Sequence, residues 1–345
     1  MTDDLPEMRS RHPYVMYDML KSTPSGIKKT LEIMEKAEIQ FNGDRLYMTG
    51  NGTAFHSAVM GSAFLSGTDR QWYPVQAFEL EKYHKPAGTI AAFSHTGKTR
   101  STIDAVKVAR KTAHVIGVTH YRGSPLFMES DVPIVIGDSP DLSLCNTKAF
   151  FDNAFASMEI ASRFSGIDVN PTEVLDAVVK NLNHTERQAA EAASSLKSCR
   201  DIFVLGAGPN YYAAREAAQK MKESTHLHAE GIELEEFNHG CTAVLDEHSL
   251  VVIINSPEVS ERASQIMRAC RHTSTKTLVI DGDGDFSIHT ERTGDINMDT
   301  IPEMVPLYYL AYYLAVEKGI NPDMLRFEDR RYLDFDNVVF PPGAH

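Results

Sequence analysis

An α/β fold built as two domains with parallel sheets follows from three features of the chain. Short apolar runs alternate with helical patterns along its length, which is the mark of repeated β-α units. One strand-turn-helix unit occurs twice. Its 345 residues also exceed what a single hydrophobic core usually serves.

Taken in chain order, residues 14–36 read as a helical segment ahead of the first domain. "RLYMTG" (45–50), "TIAAFS" (89–94), "AHVIGVT" (113–119) and "VPIVIG" (132–137) are short, nearly unbroken apolar runs, as strands covered on both faces require. Residues 171–198 form a predicted helix joining the halves, and 211–225 another, rich in Ala, Glu, Gln and Lys. "DIFVLGAG" (201–208), "SLVVIIN" (249–255) and "KTLVIDG" (276–282) are the strands expected in the second half. Aligning 46–58 with 203–214 lays Gly50 on Gly206 and Gly52 on Gly208, with Phe55, Tyr211 and Tyr212 on the first helical turn. The expected organisation is an N-terminal segment 1–36, a first domain 37–170, a linking helix 171–198, a second domain 199–325 and a tail 326–345.

The net charge of −13 argues against nucleic acid or an anionic membrane as the main partner. Cys145, Cys199, Cys241 and Cys270 are scattered, so reduced thiols are expected rather than a zinc site or a disulfide framework. No secretory signal and no run long enough to span a bilayer are visible, which points to a cytoplasmic protein.

G-x-G after a strand invites a dinucleotide reading, but Phe55 and Tyr211 stand where the third glycine would fall. A cofactor is therefore not expected. "FSHTGKTRST" (93–102) follows a strand and opens a helix. Ser94, Thr96, Thr99 and Ser101 offer hydroxyls, and N–H groups around Gly97 supply an anion nest. Gly97 is expected to let the backbone approach a phosphate; the bland alternative is a serine-rich helix cap. The matching turn of the second half, "NSPEVSER" (255–262), loses a donor at Pro257 and carries Glu258, so one phosphate pocket is expected, in the first domain.

Residues 220–240 hold three histidines among many carboxylates. Glu216, Lys220 and Glu223 share a helical face, which is ordinarily a surface ion-pair ladder. His226, His228 and Glu230 alternate, so on a strand they would face one way and could hold a divalent metal. On a continued helix they would diverge, and the run follows directly from the helix. His226 and His228 are then packing or hydrogen-bonding residues, and no metal is expected.

"GNGTAFHSA" (51–58 with Gly50), "SHTGKT" (94–99), "NTKAF" (146–150) and "HAEGIELEEFNHG" (228–240), in this order, resemble the tandem sugar isomerase (SIS) domains. That family includes the isomerase half of glucosamine-6-phosphate synthase and the fructosamine-6-phosphate deglycases. The resemblance implies two SIS domains, each a three-layer αβα sandwich with a five-stranded parallel sheet. It implies a sugar 6-phosphate substrate, no cofactor, and a homodimer or higher homo-oligomer in which neighbouring subunits complete each active site. Carried over residue by residue, Glu223 matches the base that moves a proton between sugar carbons 1 and 2. His239 matches the ring-opening histidine, and Lys220 a lysine near the reacting carbons. Gly52, Thr53, Ser94, His95, Thr96, Gly97 and Thr99 match the phosphate site. His95 takes the place of an amide or aromatic and is expected to cap the helix; Ala54 replaces a phosphate-binding serine. Glu235, Arg331 and Tyr332, with Arg330, are candidates for contacts to a substrate amine.

The tail "NPDMLRFEDRRYLDFDNVVF" (321–340) departs from the synthases: Phe335 stands where their Schiff-base lysine would be. The amidotransferase half is expected to be absent. "RRY" (330–332) and "GKT" (97–99) instead resemble the deglycases, whose Amadori substrate brings its own nitrogen. A deglycase releasing glucose 6-phosphate and an amine is therefore the leading expectation. The alternatives are a glucosamine-6-phosphate deaminase or aldose-ketose isomerase, and a non-catalytic sugar-phosphate sensor.

Overall fold

The computed structural model describes residues 9–340 and divides into two compact units. The first contains Lys21–Pro171 and the residues from Arg326 onward; the second contains residues 9–20 and Thr172–Leu325. The outermost parts of the expected N-terminal segment and tail, 1–8 and 341–345, lie outside the described residues.

The first unit is a parallel sheet of β1 (Arg45–Thr49), β2 (Gln71–Pro74), β3 (Gly88–Phe93), β4 (Ala113–Thr119) and β5 (Val132–Val135), in the order β2-β1-β3-β4-β5. Helix α1 (Val15–Lys36) leads in from the second unit, and α2 (Thr53–Gly61), α3 (Ala77–Tyr83), α4 (Arg100–Ala109), α5 (Pro125–Glu129) and α6 (Thr147–Ser165) follow. Tyr47, Leu80, Ile90, Val106, Val115 and Leu126 form a core on one sheet face.

The second unit repeats the plan. Its strands are β6 (Asp201–Gly206), β7 (His228–Glu233), β8 (Ser249–Ile254), β9 (Lys276–Ile280) and β10 (Phe286–Ile288). Their order, read from the other edge, is β7-β6-β8-β9-β10, so first-to-fifth strands occupy the same places as in the first unit. Helices α7 (Pro171–Leu196), α8 (Pro209–Thr225), α9 (Ser260–Cys270), α10 (Ile296–Asp299) and α11 (Met304–Glu317) belong here, while α12 (Arg330–Val339) counts with the first unit. Phe203, Leu205, Phe237, Val251, Ile253 and Ile266 are core residues. Helix α11 is apolar on nearly every side and buried; it packs beside α8, where Tyr308 Oη donates to Glu216 Oε1 at 3.1 Å.

The expected sheets are thus present as two five-stranded parallel sheets. Gly52 and Gly208, aligned by the repeat, have φ/ψ of 51°/−131° and 55°/−130° as the caps of α2 and α8. That backbone region is open to glycine alone, which is why both copies carry it. Three strands had no apolar run to announce them. β2 and β7 are edge strands with mostly half-exposed residues, and β10 is a three-residue edge. An edge strand is not covered on both faces and need not be continuously apolar. β7 also overturns the reason given against alternation in 226–230: the helix stops at Thr225, His226 is left-handed at φ 58°, and a strand begins at His228.

Candidate active site

In an open parallel sheet, ligands bind beyond the carboxyl ends of the strands where the strand order reverses. In the first unit that point lies between β1 and β3. The two turns that leave these strands are the G-x-G turn at 50–52 and the hydroxyl-rich turn at 94–99. They are tied together: Asn51 Nδ2 donates to Ser101 Oγ at 3.0 Å and to Thr102 Oγ1 at 2.9 Å. Thr53 is buried at the start of α2.

Within the cradle, Ser94 Oγ and Thr99 Oγ1 lie 3.0 Å apart, Gly97 N–H donates to Ser94 Oγ at 3.1 Å, and Lys98 N–H donates to Thr96 Oγ1 at 3.2 Å. The hydroxyls therefore hold the loop's own N–H groups in a compact turn. Thr99 caps α4 without a side-chain hydrogen bond. One expectation gains a second physical reason and one is corrected. Gly97 has φ +65°, and a Cβ there would lie 2.1 Å from Ser124 Oγ, so its glycine is required by a close protein neighbour. His95 does not cap the helix; its Nε2 accepts from Asp141 N–H at 3.1 Å.

Behind His95 lies a buried polar cluster that sequence reasoning missed. His95 and His120 meet edge to face at 4.7 Å, and His120 Nε2 is 3.1 Å from Asp152 Oδ2. Thr30 Oγ1 donates to Asp152 Oδ1 at 3.3 Å and accepts from Gly137 N–H at 3.1 Å. Burial pushes Asp152 up to about 8 and Asp141 up to about 6. Burial, with help from the Lys148 charge, holds His120 down at about 3. The consistent reading is a protonated Asp152 donating to a neutral His120. His120 Nδ1 then carries the ring hydrogen, and it has no partner among the described residues. Lys148 itself is buried and binds Asp138 and Ser139, with Nζ 2.8 Å from Ser139 Oγ. The signal was available: Lys148 and Asp152 sit four apart in α6 with the apolar Ala149, Phe150 and Phe151 between them.

In the second unit, the face shared by Glu216, Lys220 and Glu223 is no surface ladder. Glu216 and Lys220 are buried, and only Glu223 reaches out, its side chain 23% exposed. Lys220 Nζ lies 2.6 Å from Glu223 Oε2 and 3.6 Å from Glu216 Oε1. Gln219 Nε2 donates to Glu223 Oε1 at 2.8 Å. Glu223 is therefore a carboxylate gripped at both oxygens in the last turn of α8.

His239 follows a single 3-10 turn (Glu236–Asn238) and precedes Gly240, whose φ is 126°. Its side chain is 67% exposed, with Nε2 4.0 Å from Glu235 Oε1. Glu235 is taken by Arg262, which reaches both of its oxygens at 2.6 and 2.7 Å. His228 is 3.2 Å from Glu230 and 3.3 Å from Asp201, on the exposed edge. In the tail, Arg331 pairs with Asp329 at 2.6 Å, Arg330 with Asp334 at 2.8 Å, and Tyr332 lies 4.4 Å beneath the Arg326 guanidinium. Phe335 is 70% exposed on α12. All four cysteines are free thiols, and no helix among the described residues is long and apolar enough to cross a membrane.

Residues 195–318 match the SIS domain. Two curated relatives are both named glutamine–fructose-6-phosphate aminotransferase [isomerizing]. That of Sulfolobus acidocaldarius is 28% identical, covering 91% of this chain and 56% of its own length. That of Aeropyrum pernix is 29% identical, covering 93% and 58%. The chain thus spans little more than half the length of these relatives. Among solved structures, the C-terminal domain of glucosamine-fructose-6-phosphate aminotransferase from Francisella tularensis superposes with a TM-score of 0.79 at 18% identity, covering 90% of this chain and 98% of that one. Glucosamine-6-phosphate deaminase from Thermotoga maritima follows with 0.77 at 20%, covering 90% and 97%. At such identity these likenesses speak for the fold alone. The matched SIS domain over 195–318 falls within the second unit, and the first unit repeats that unit's parallel-sheet strand order.

Proposed function

We propose that this chain is an enzyme acting on phosphorylated sugars, and specifically a fructosamine (Amadori) 6-phosphate deglycase that releases glucose 6-phosphate and an amine. The observation that carries the reading is the Glu223 clamp, a partly exposed carboxylate with both oxygens fixed by Lys220 and Gln219. A base that takes a proton from one carbon and returns it to the next must keep one position through both transfers. The turns at 50–52 and 94–99 are assigned to the substrate phosphate, which would bind by their N–H groups and hydroxyls.

In the open-chain substrate, Glu223 takes a proton from C1 as the C2 carbonyl oxygen gains one, giving an enaminol. Returning the proton to C2 leaves an imine between C1 and nitrogen. Water adds at C1, and the C–N bond breaks to give the aldehyde and the free amine. His239, whose side chain is largely exposed, is assigned to ring opening, because imidazole exchanges protons near neutral pH. Phe335 supports the choice of substrate: no amine at that position can form a Schiff base with a ketose, whereas an Amadori compound already has nitrogen on C1. A homodimer or larger assembly sharing its sites, as the family resemblance implies, is part of this reading.

The test is incubation with a panel of phosphorylated Amadori compounds and, separately, glucosamine 6-phosphate, with products followed by mass spectrometry. Glucose 6-phosphate and free amine from the Amadori compounds are expected, and Glu223→Gln should bind substrate without turning it over. Fructose 6-phosphate formed only from glucosamine 6-phosphate would instead make the protein a deaminase. Binding with no product from either would make it a sensor.

A further inference from the structure

The second unit has its own opening beyond the carboxyl end of its central strand, and its charge is opposite to that of the cradle. A cavity of about 350 Å³ is lined by Pro257, Glu258, Arg292, Asp295, Asp299 and Glu303 among its residues. Pro257 and Glu258 form the 3-10 turn (Pro257–Val259) that leaves β8, the counterpart of the turn that leaves β3 in the first unit. The duplicated fold therefore places a cavity where its other copy places the hydroxyl-rich turn, but with carboxylates around it.

The single cation at this cavity is already committed. Arg292 Nε is 3.0 Å from Asp281 Oδ2, and its Nη2 donates to Glu303 Oε1 at 2.6 Å and to the Asn255 carbonyl at 2.5 Å. Asp299 Oδ1 accepts from Thr293 N–H at 2.6 Å and from its hydroxyl at 2.8 Å. Asp295 Oδ1 accepts from Asn297 N–H at 2.9 Å. Glu303 differs. Its side chain is buried, one oxygen is held by Arg292, and the other, Oε2, has no hydrogen-bond partner among the described residues. A buried carboxylate oxygen left unmatched costs free energy unless a donor supplies the missing hydrogen bond. Burial, outweighing the Arg292 charge, pushes this carboxyl up to about 8, so at neutral pH it holds a proton that a bound cation would displace.

We propose that this cavity binds a small aliphatic amine as its ammonium ion, with Glu303 Oε2 as the principal acceptor and Glu258, Asp295 and Asp299 providing the surrounding negative field. Among the described residues, the carboxylates are not gathered in a metal-ligating group, so they suit a cation whose charge is spread over several N–H donors on an organic body. The same field rejects a ligand that carries a carboxylate of its own, so amines are favoured over amino acids. The site does not depend on the proton shuttle proposed for Glu223, and it would persist if that reading failed.

Calorimetric titration of the full chain with four compounds of one length tests this: 1,4-diaminobutane, 4-aminobutan-1-ol, 4-aminobutanoate and 1,4-butanediol. Saturable binding of the first two, and none of the last two, is expected. Glu303→Gln should weaken the binding roughly tenfold or more, the usual effect of losing a charge-assisted hydrogen bond. Glu258→Gln, at an exposed position that leaves the fold intact, should weaken it several-fold and serves if Glu303→Gln does not fold. Equal binding of diamine and diol, no binding of either amine, or amine affinity unchanged in folded Glu303→Gln and Glu258→Gln would each overturn the proposal.

Discussion

Lys220 and Glu223, three residues apart on α8, are joined at 2.6 Å with the lysine buried and the glutamate reaching outward. The ammonium also faces buried Glu216 at 3.6 Å, whose Oε1 accepts from Tyr308. The pair thus couples the fold to the proposed chemistry, because the group that orients the base also neutralises a carboxylate in the interior.

Removing Lys220 should therefore cost both. Lys220→Met leaves Glu216 buried without its cation and is expected to destabilise the protein by about 3–5 kcal/mol. Adding Glu216→Gln should recover much of that stability in denaturant melts, while turnover stays low because Glu223 remains unclamped. Recovery of full activity in the double variant would show that the clamp does not matter to the reaction.

His239 should behave in the opposite way. Its side chain is largely exposed and its nearest carboxylate is 4.0 Å off, so His239→Asn should shift stability by less than about 0.5 kcal/mol. If it opens the sugar ring, its loss should slow turnover of cyclic substrate by about 10²-fold or more and spare an acyclic analogue. Equal slowing of both substrates would remove it from ring opening.

Gly97→Ala should damage the cradle from two directions. The residue sits at φ +65°, which costs an alanine about 1 kcal/mol or more, and its Cβ would overlap Ser124 Oγ. Loss of stability of about 1–3 kcal/mol is expected, with weakened binding of inorganic phosphate by calorimetry. Ser94→Ala, which removes an acceptor of Gly97 N–H, should weaken phosphate binding with a smaller effect on stability.

Asp152 provides a pH signature. Its carboxyl ionises near 3.8 when unfolded and near about 8 when folded, so between these values the folded state holds the extra proton. Stability from this group is full below about 4 and is lost as pH rises through 8. His120, held at about 3 against an ordinary 6.5, acts in the reverse sense but only below 6.5. From pH 6.5 to 8 the fall due to Asp152 is exposed, together with that from Glu303 in the second unit. Asp152→Asn should flatten part of that decline, by up to about 1.4 kcal/mol per pH unit. Thermal melts of both proteins across this range measure it, and parallel curves would refute the protonated Asp152.

Six of the seven apolar runs were legible as strands because each lies inside its sheet, covered on both faces with no freedom to be polar; the seventh, β5, is an edge strand with Pro133 exposed. β4 matches its run 113–119 end to end. The repeat was legible because Gly52 and Gly208 answer to one local backbone requirement. The edge strands β2, β7 and β10 and the partners of polar residues were not, since an edge tolerates polar residues and a hydrogen bond between residues distant in sequence leaves no periodic trace.

What the sequence by itself determined was the α/β plan, its duplication and the residue types at the hydroxyl-rich turn, all of which arise from local backbone geometry and burial pattern. The tertiary structure alone decided which of those polar groups are buried and with whom. It turned the expected surface ladder of Glu216 and Lys220 inward beneath α11, and gave His95 to Asp141 instead of a helix end. The physical reason is that the state of a charged group depends on the dielectric and donors around it, and these come from elements that meet only once the chain has folded.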